Sequence, residues 1–570
     1  MNMTSRMAAR FDALPLPSVR TERAAAPTGA VAVLVLAALA AISLLPLLLV
    51  STLPFFDYPN HLSRAHVLAN IARSATFSDW FDPASFLIPN ISADVILVLL
   101  SPLLGTEAAG KALVAAICLL TLTGTAALGR ATTGRLHPWP LLAAILLFNE
   151  MLLWGFLNYA LGLALLLWGL AAWIALATRS RTLQLAAGAV FALAIFFSHL
   201  VAFGLFAAAV AVWELAAAAR AWMGDPDPRA WRPALLRLAT SATIFAPPTV
   251  LYFALSPLRG LPGAPLFNFT LFEKVVPFTR LLSSGNAFAD ASLLLAPAGL
   301  IAFLVWKGRV ALHPRLGLVA AALWFLQIIL PYSALHSFFV DARVALAVTL
   351  VLLASLETTA PGGRPKEESE AGAAGRTDRL GWAALGVLVA LRAASLSAQW
   401  MQADREYREV LAVLDAIPRG SVVVSATAAP FEYGTGWFWT REKNPPHEHT
   451  ASYATVRREA IVPAIFAKPG QNPLVLTPRS RSLGAIALGP IPRLTFDREF
   501  WRLGRRAAAI RAELDHAGRS DQPIYVAAFH VPCEELRPNL PLRAVSCGEV
   551  LSLFKVERRG RTRPVWVHED

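Results

Sequence analysis

Charge is scarce in this sequence, and several familiar signatures are missing. Of 570 residues, 16% are Asp, Glu, Lys or Arg, while 56% are hydrophobic and the mean hydropathy is +0.52. A soluble protein does not have this balance. There is no P-loop, no dinucleotide-binding glycine fingerprint, no serine-nucleophile elbow and no internal repeat. His447 and His449 stand at i, i+2 in a Pro-rich loop, which lacks the spacing of a zinc-binding helix, so no metal ligands are assigned. Only three cysteines are present. Cys118 lies inside an apolar run, whereas Cys533 and Cys547 could pair if the end of the chain lies outside the cytoplasm.

The dominant signal is a series of apolar runs of about 20 residues, the length a membrane-crossing helix needs. Spans are expected near 30–52, 108–129, 138–155, 158–177, 183–198, 200–219, 235–256, 291–306, 316–332, 342–357 and 381–398. Residues 1–28 are polar and Arg-rich, with no small-residue cleavage site after the apolar run, so the first helix reads as retained. The net charge of +13 comes largely from arginines in short loops, and it points to orientation in a bilayer rather than to nucleic acid. Arg130, Arg135, Arg179, Arg181, Arg220, Arg229, Lys307 and Arg315 all fall on one side of this layout, which the positive-inside rule makes cytoplasmic. Residues 91–104 are apolar but short and contain Asp94 and Pro102; they are expected to lie against the outer face without crossing.

The expected architecture is an all-α membrane domain of about eleven helices with a small C-terminal α/β domain outside the cytoplasm. Its parts are a disordered tail (1–28), the membrane domain (29–357) with an outer loop at 53–107, a Gly/Pro-rich charged linker (358–380), a last span (381–399) and the outer domain (400–570). In the outer domain a helix is expected over Asp404–Ile417, and strands over 421–425, 474–476, 524–529 and 550–556.

The candidate chemistry gathers on the outer side. Asp57, His61 and Arg64 crowd the mouth of the first span, where charge near lipid is costly and functional by default. Asp57 could act as a general base on a hydroxyl, or could cap the helix expected over 58–73, with Pro59 in its first turn. Arg64 could hold a phosphate with paired donors. Asp79, Asp82 and Asp94 are further acids of the same loop, read more readily as turn and capping residues. Glu150 and Asn158 flank a turn at Gly155, and His199 sits between two tightly joined helices. Lys274 and Arg280 lie in a long outer loop, and His336, Asp341 and Arg343 lie at the next turn. Cations there could stabilise a departing phosphate.

The acid-bearing loop after the first span, the helix after Tyr58 and the stretch ISADVILVLLSPLLGTEAAGKAL resemble the GT-C fold polytopic glycosyltransferases. Among these are the bacterial aminoarabinose, mannosyl and galacturonosyl transferases. The resemblance covers about residues 30–350, mostly as architecture. It implies a polyprenyl-phosphate sugar donor, an outer acceptor (glycan, lipid or protein), Asp57 as catalytic acid-base residue and a bacterial inner-membrane location. It leaves open a divalent metal. Many members carry two adjacent acids where this chain has Asp57 followed by Tyr58, which marks a divergent subgroup. A transporter or flippase, or a non-catalytic envelope polysaccharide assembly protein, would share the composition. A transporter would usually show mid-span charge or repeated broken helices, and here the ionisable residues gather at span ends.

Overall fold

A computed structural model describes residues 29–224, 228–257, 265–267, 270–334, 337–359, 368–428, 447–480, 493–494, 499–516, 518–535 and 542–557. Among the described residues, eight helices are long and apolar enough to cross a membrane: Val31–Leu49, Thr106–Thr133, Leu157–Leu176, Arg181–Ser198, Leu200–Gly224, Trp231–Leu255, Ala287–Trp306 and Gly375–Asp415. The chain is thus a multi-pass membrane protein. Three expected spans take other forms. Residues 138–155 break into Pro138–Leu141, a 3-10 segment Leu142–Leu146 and Glu150–Leu153, and almost all of this stretch is buried. Enclosed by protein, it can be irregular without exposing backbone to lipid. Pro314–Ile329 and Val340–Ala354 are regular but have only 16 and 15 residues, below the roughly 20 a full crossing needs. Residues 91–104 form the 13-residue helix Ser92–Leu104, which turns at Gly105 (φ 81°) into Thr106–Thr133.

The two ends of the bundle differ in chemistry, and long-range contacts show which loops share an end. At one end Arg135 donates to the Thr358 carbonyl, Arg181 to the Arg237 carbonyl and Arg315 to the Trp213 carbonyl. The other end gathers Asp57, the 149–156 turn, His199, the helix Leu271–Thr279 and the start of Val340–Ala354.

The last membrane helix is longer than expected. Residues Glu368–Asp415 form one helix of 48 residues, merging part of the expected linker, the last span and the expected helix at Asp404–Ile417. No proline interrupts this Ala-rich stretch, and Pro418 follows its end. Residues 360–367 of the linker and the tail 1–28 lie outside the described residues.

The C-terminal domain holds a five-stranded mixed sheet in the order Arg493–Leu494, Val422–Ala428, Ile524–Phe529, Leu551–Val556, Leu542–Cys547. Val422–Ala428 runs parallel to Ile524–Phe529, and the last three strands pair antiparallel. Cys533 and Cys547 are joined in a disulfide, while Cys118 is free and buried. The strand at Leu474–Leu476 departs from the main sheet. It pairs antiparallel with Phe81–Pro83 of the first long loop. Phe77, Trp80 and Phe81 are thereby buried in one core with Val424, Ile461 and Ile510. The loop and the domain therefore share a hydrophobic core, and the helix Tyr58–Asn70 has nine buried residues because Ser92–Leu104 and that domain both pack against it.

Candidate active site

Two segments place Asp57. Asp57 N donates to the Trp154 carbonyl and Phe56 N to the Leu153 carbonyl, both at 3.0 Å, which lays the end of the first span along the 149–156 turn. That approach depends on Gly155. Its φ is +83°, and a Cβ there would stand 2.8 Å from Tyr58 N and 2.9 Å from Asp57 N. Gly155→Ala is expected to cost about 1–3 kcal/mol from the left-handed backbone and the clash, read as a lower unfolding midpoint. An unchanged midpoint would mean that the turn yields.

Asp57 occupies the N-cap position of Tyr58–Asn70, but its side chain makes no capping hydrogen bond. The capping role weighed from the sequence is therefore not the one its carboxylate performs. The carboxylate is 16% exposed, and His449 Nε2 of the C-terminal domain lies 3.4 Å from Oδ1. Burial, followed by the nearby Glu448 charge, raises the Asp57 carboxyl to about 7, against the opposing pull of Arg343 and Arg64. Burial lowers the His449 imidazole to about 4. Near neutral pH the site thus holds a carboxylate ready to take a proton beside a neutral imidazole.

Most of the expected cations have carboxylate partners. Arg64 grips Asp94 with two bonds, Nε to Oδ1 at 2.7 Å and Nη2 to Oδ2 at 2.9 Å, with both side chains buried. Lys274 sits 2.8 Å from Asp341 and also donates to the Leu330 carbonyl. Arg280 pairs with Glu150. Arg64, Lys274 and Arg280, expected as phosphate ligands, are thus each held in an ion pair. Asp341 is likewise an ion-pair partner within the first turn of Val340–Ala354, whose N-cap is Phe339 at φ 58°.

Arg343 differs. Among the described residues it has no carboxylate within ion-pair distance, although it is 5% exposed. Its guanidinium lies over Phe156 at 4.4 Å, Nη1 is 2.9 Å from His199 Nε2, and Nε has no hydrogen-bond partner. Its charge also reaches Asp57. A buried guanidinium held by an imidazole and an aromatic face has donors left for an anion.

The remaining expected residues shape the site. His61 Nδ1 is 3.1 Å from Arg64 Nη2, and burial followed by the Arg64 charge holds its imidazole well below the usual range. Asn158 accepts from Ala93 N and donates to the Asn90 carbonyl, fixing the turn before Ser92–Leu104. Asp79 is exposed beside Arg519, and Asp82 lies in the strand that meets the C-terminal domain. His336 lies outside the described residues. Among the described residues, no group of three or more His, Cys, Asp or Glu side chains is placed to hold a metal ion. The residue that sequence reasoning missed is His449. Its signal in the sequence is a His-Glu-His run among 11 histidines, which points only to a candidate metal ligand.

No protein-family model and no curated protein matches the sequence. Solved structures similar to it include two at 12% identity and a TM-score of 0.46. One is ArnT from Cupriavidus metallidurans bound to undecaprenyl phosphate, covering 93% of this chain and 98% of that one. The other is ArnT from the same organism in the apo state, covering 92% and 97%.

Proposed function

We propose that this chain is an integral-membrane glycosyltransferase that moves a sugar from a polyprenyl-phosphate donor to an extracytoplasmic hydroxyl acceptor on a glycan, lipid or protein. One observation carries this reading. A partly buried carboxylate raised to about 7 lies at the mouth of the first span, within electrostatic reach of a buried guanidinium that has no carboxylate at ion-pair distance among the described residues. A base and a phosphate clamp at the membrane edge suit a reaction whose donor is a lipid phosphate. In this reading Asp57 takes the proton of the acceptor hydroxyl as its oxygen attacks the anomeric carbon. The bond from that carbon to the phosphate oxygen breaks on the opposite face, and Arg343 holds the departing lipid phosphate.

The sequence resemblance to the GT-C enzymes supports the same assignment. Location is supported by two independent features. The arginine-rich loops gather at the end of the bundle away from Asp57. The disulfide between Cys533 and Cys547 suits an oxidising compartment on the site side.

Arg343→Met tests the phosphate role. Losing charged hydrogen bonds to the donor phosphate costs about 1.5–3 kcal/mol, or roughly a 10- to 150-fold rise in KM for the lipid-linked donor. Acceptor KM should change little. A donor KM equal to that of the wild type would remove Arg343 from the site.

A further inference from the structure

The C-terminal domain brings a turn at residues 447–453 to the site, and this turn is fastened to the helix that follows Asp57. Ser452 Oγ donates to Asn60 Oδ1 at 2.6 Å, and Ser63 Oγ donates to the Ser452 carbonyl at 2.6 Å. All three side chains are fully buried. Asn60 stands three residues after Asp57, and Ser452 three residues after His449. Asp57 and His449 are therefore carried by segments locked together within a few residues of each.

The His449 ring is held edge-on between Phe56, 4.9 Å between centroids, and Phe466, at 5.4 Å. Its Nδ1 is buried with no hydrogen-bond partner, and its Nε2 points to Asp57 Oδ1 at 3.4 Å. A neutral imidazole carries one proton, and the carboxylate draws that proton to Nε2. A separation of 3.4 Å is long for a made bond, and catalytic pairs commonly tighten when substrate enters.

We infer that His449 is a positioning residue for Asp57: its Nε2–H holds Oδ1 so that Oδ2 is turned to the acceptor hydroxyl, and the C-terminal domain thereby completes the catalytic site. This rests on the reading of Asp57 as the base. The other charges acting on Asp57 are Glu448 on the same turn, Arg343 on Val340–Ala354 and Arg64 on Tyr58–Asn70, and His61 is the titratable neighbour of His449. The imidazole stays neutral, and so remains a donor, across the range in which Asp57 ionises.

A hydrogen bond to a carboxylate favours its ionised form, so removing the donor raises the pKa. The test is an infrared pH titration of the full-length protein in nanodiscs, with the Asp57 carboxyl band assigned as the one that Asp57→Asn removes. The wild-type midpoint should lie near 7. His449→Phe should move it up by about one pH unit, and His449→Gln, which keeps a donor, should leave it within about half a unit. Size-exclusion profiles verify that each variant is folded. An unmoved midpoint in His449→Phe would overturn the inference, as would an equal shift in His449→Gln, which would make the effect one of packing. A separate assay of sugar transfer by the same preparations tells the two readings apart. Transfer abolished by Asp57→Asn, with His449→Phe unchanged in both rate and midpoint, would sink only the role of His449. Transfer unaffected by Asp57→Asn would sink the base assignment itself.

Discussion

Asp57→Asn is expected to lower the sugar-transfer rate by about 100- to 10,000-fold, the usual contribution of a general base. The amide fills the same space and cannot accept the acceptor's proton. Wild-type kcat should rise with pH and level off above about 7, because only ionised Asp57 is active and burial has raised its carboxyl to about 7. The linked stability effect has a defined sign. A carboxyl raised in the folded state contributes stability that is fully present below its unfolded value of about 4 and is lost as pH rises through 7. Asp57→Asn removes the cost of the buried charge. The variant should therefore be at least as stable as the wild type above pH 7, so that its lost turnover cannot be laid to unfolding. A rate that stays within about tenfold of the wild type would be too small for a base.

Arg64→Met is expected to destabilise the protein by about 3–5 kcal/mol, because it strands the Asp94 carboxylate in a fully buried place. The pair fastens Tyr58–Asn70 to Ser92–Leu104, so its loss should also loosen the segment that begins at Asp57. Removing both charges is a different matter. Arg64→Met combined with Asp94→Leu replaces a buried ion pair with apolar volume, a change that is often nearly neutral. Its coupling should appear as recovery of most of the lost stability in a double-mutant cycle. Thermal unfolding of Arg64→Met, Asp94→Leu and the double variant in detergent measures this. A single variant as stable as the wild type would show that Asp94 finds another partner or simply takes a proton.

The place of Asp57 was legible in the sequence because the first apolar run stops just before it, and a charge at that boundary stands out. The strands at 474–476 and 524–529 were legible from their short, bounded apolar runs. Other features depend on contacts between residues far apart in the chain. Arg64 and Asp94 are 30 residues apart, Lys274 and Asp341 are 67 apart, and Arg280 and Glu150 are 130 apart. No local spacing announces such pairs, so four cations looked equally available when three were neutralised. His449 is harder still. Its partner lies near the other end of the chain, and the link between them runs through the hydrogen bonds that join Ser452 to Asn60 and Ser63. The unbroken helix Glu368–Asp415 was hidden by the charge of its first turns, which reads as linker although its composition is helix-forming.

The most direct measurement follows labelled sugar from membrane-extracted polyprenyl-phosphate donors, with purified wild type beside Asp57→Asn. The account predicts that wild type moves the label out of the lipid fraction and releases one free polyprenyl phosphate for each sugar transferred, while folded Asp57→Asn leaves the label on the lipid. Equal transfer by the two proteins would contradict Asp57 as the base. Release of sugar by wild type without a matching lipid phosphate would contradict the donor itself.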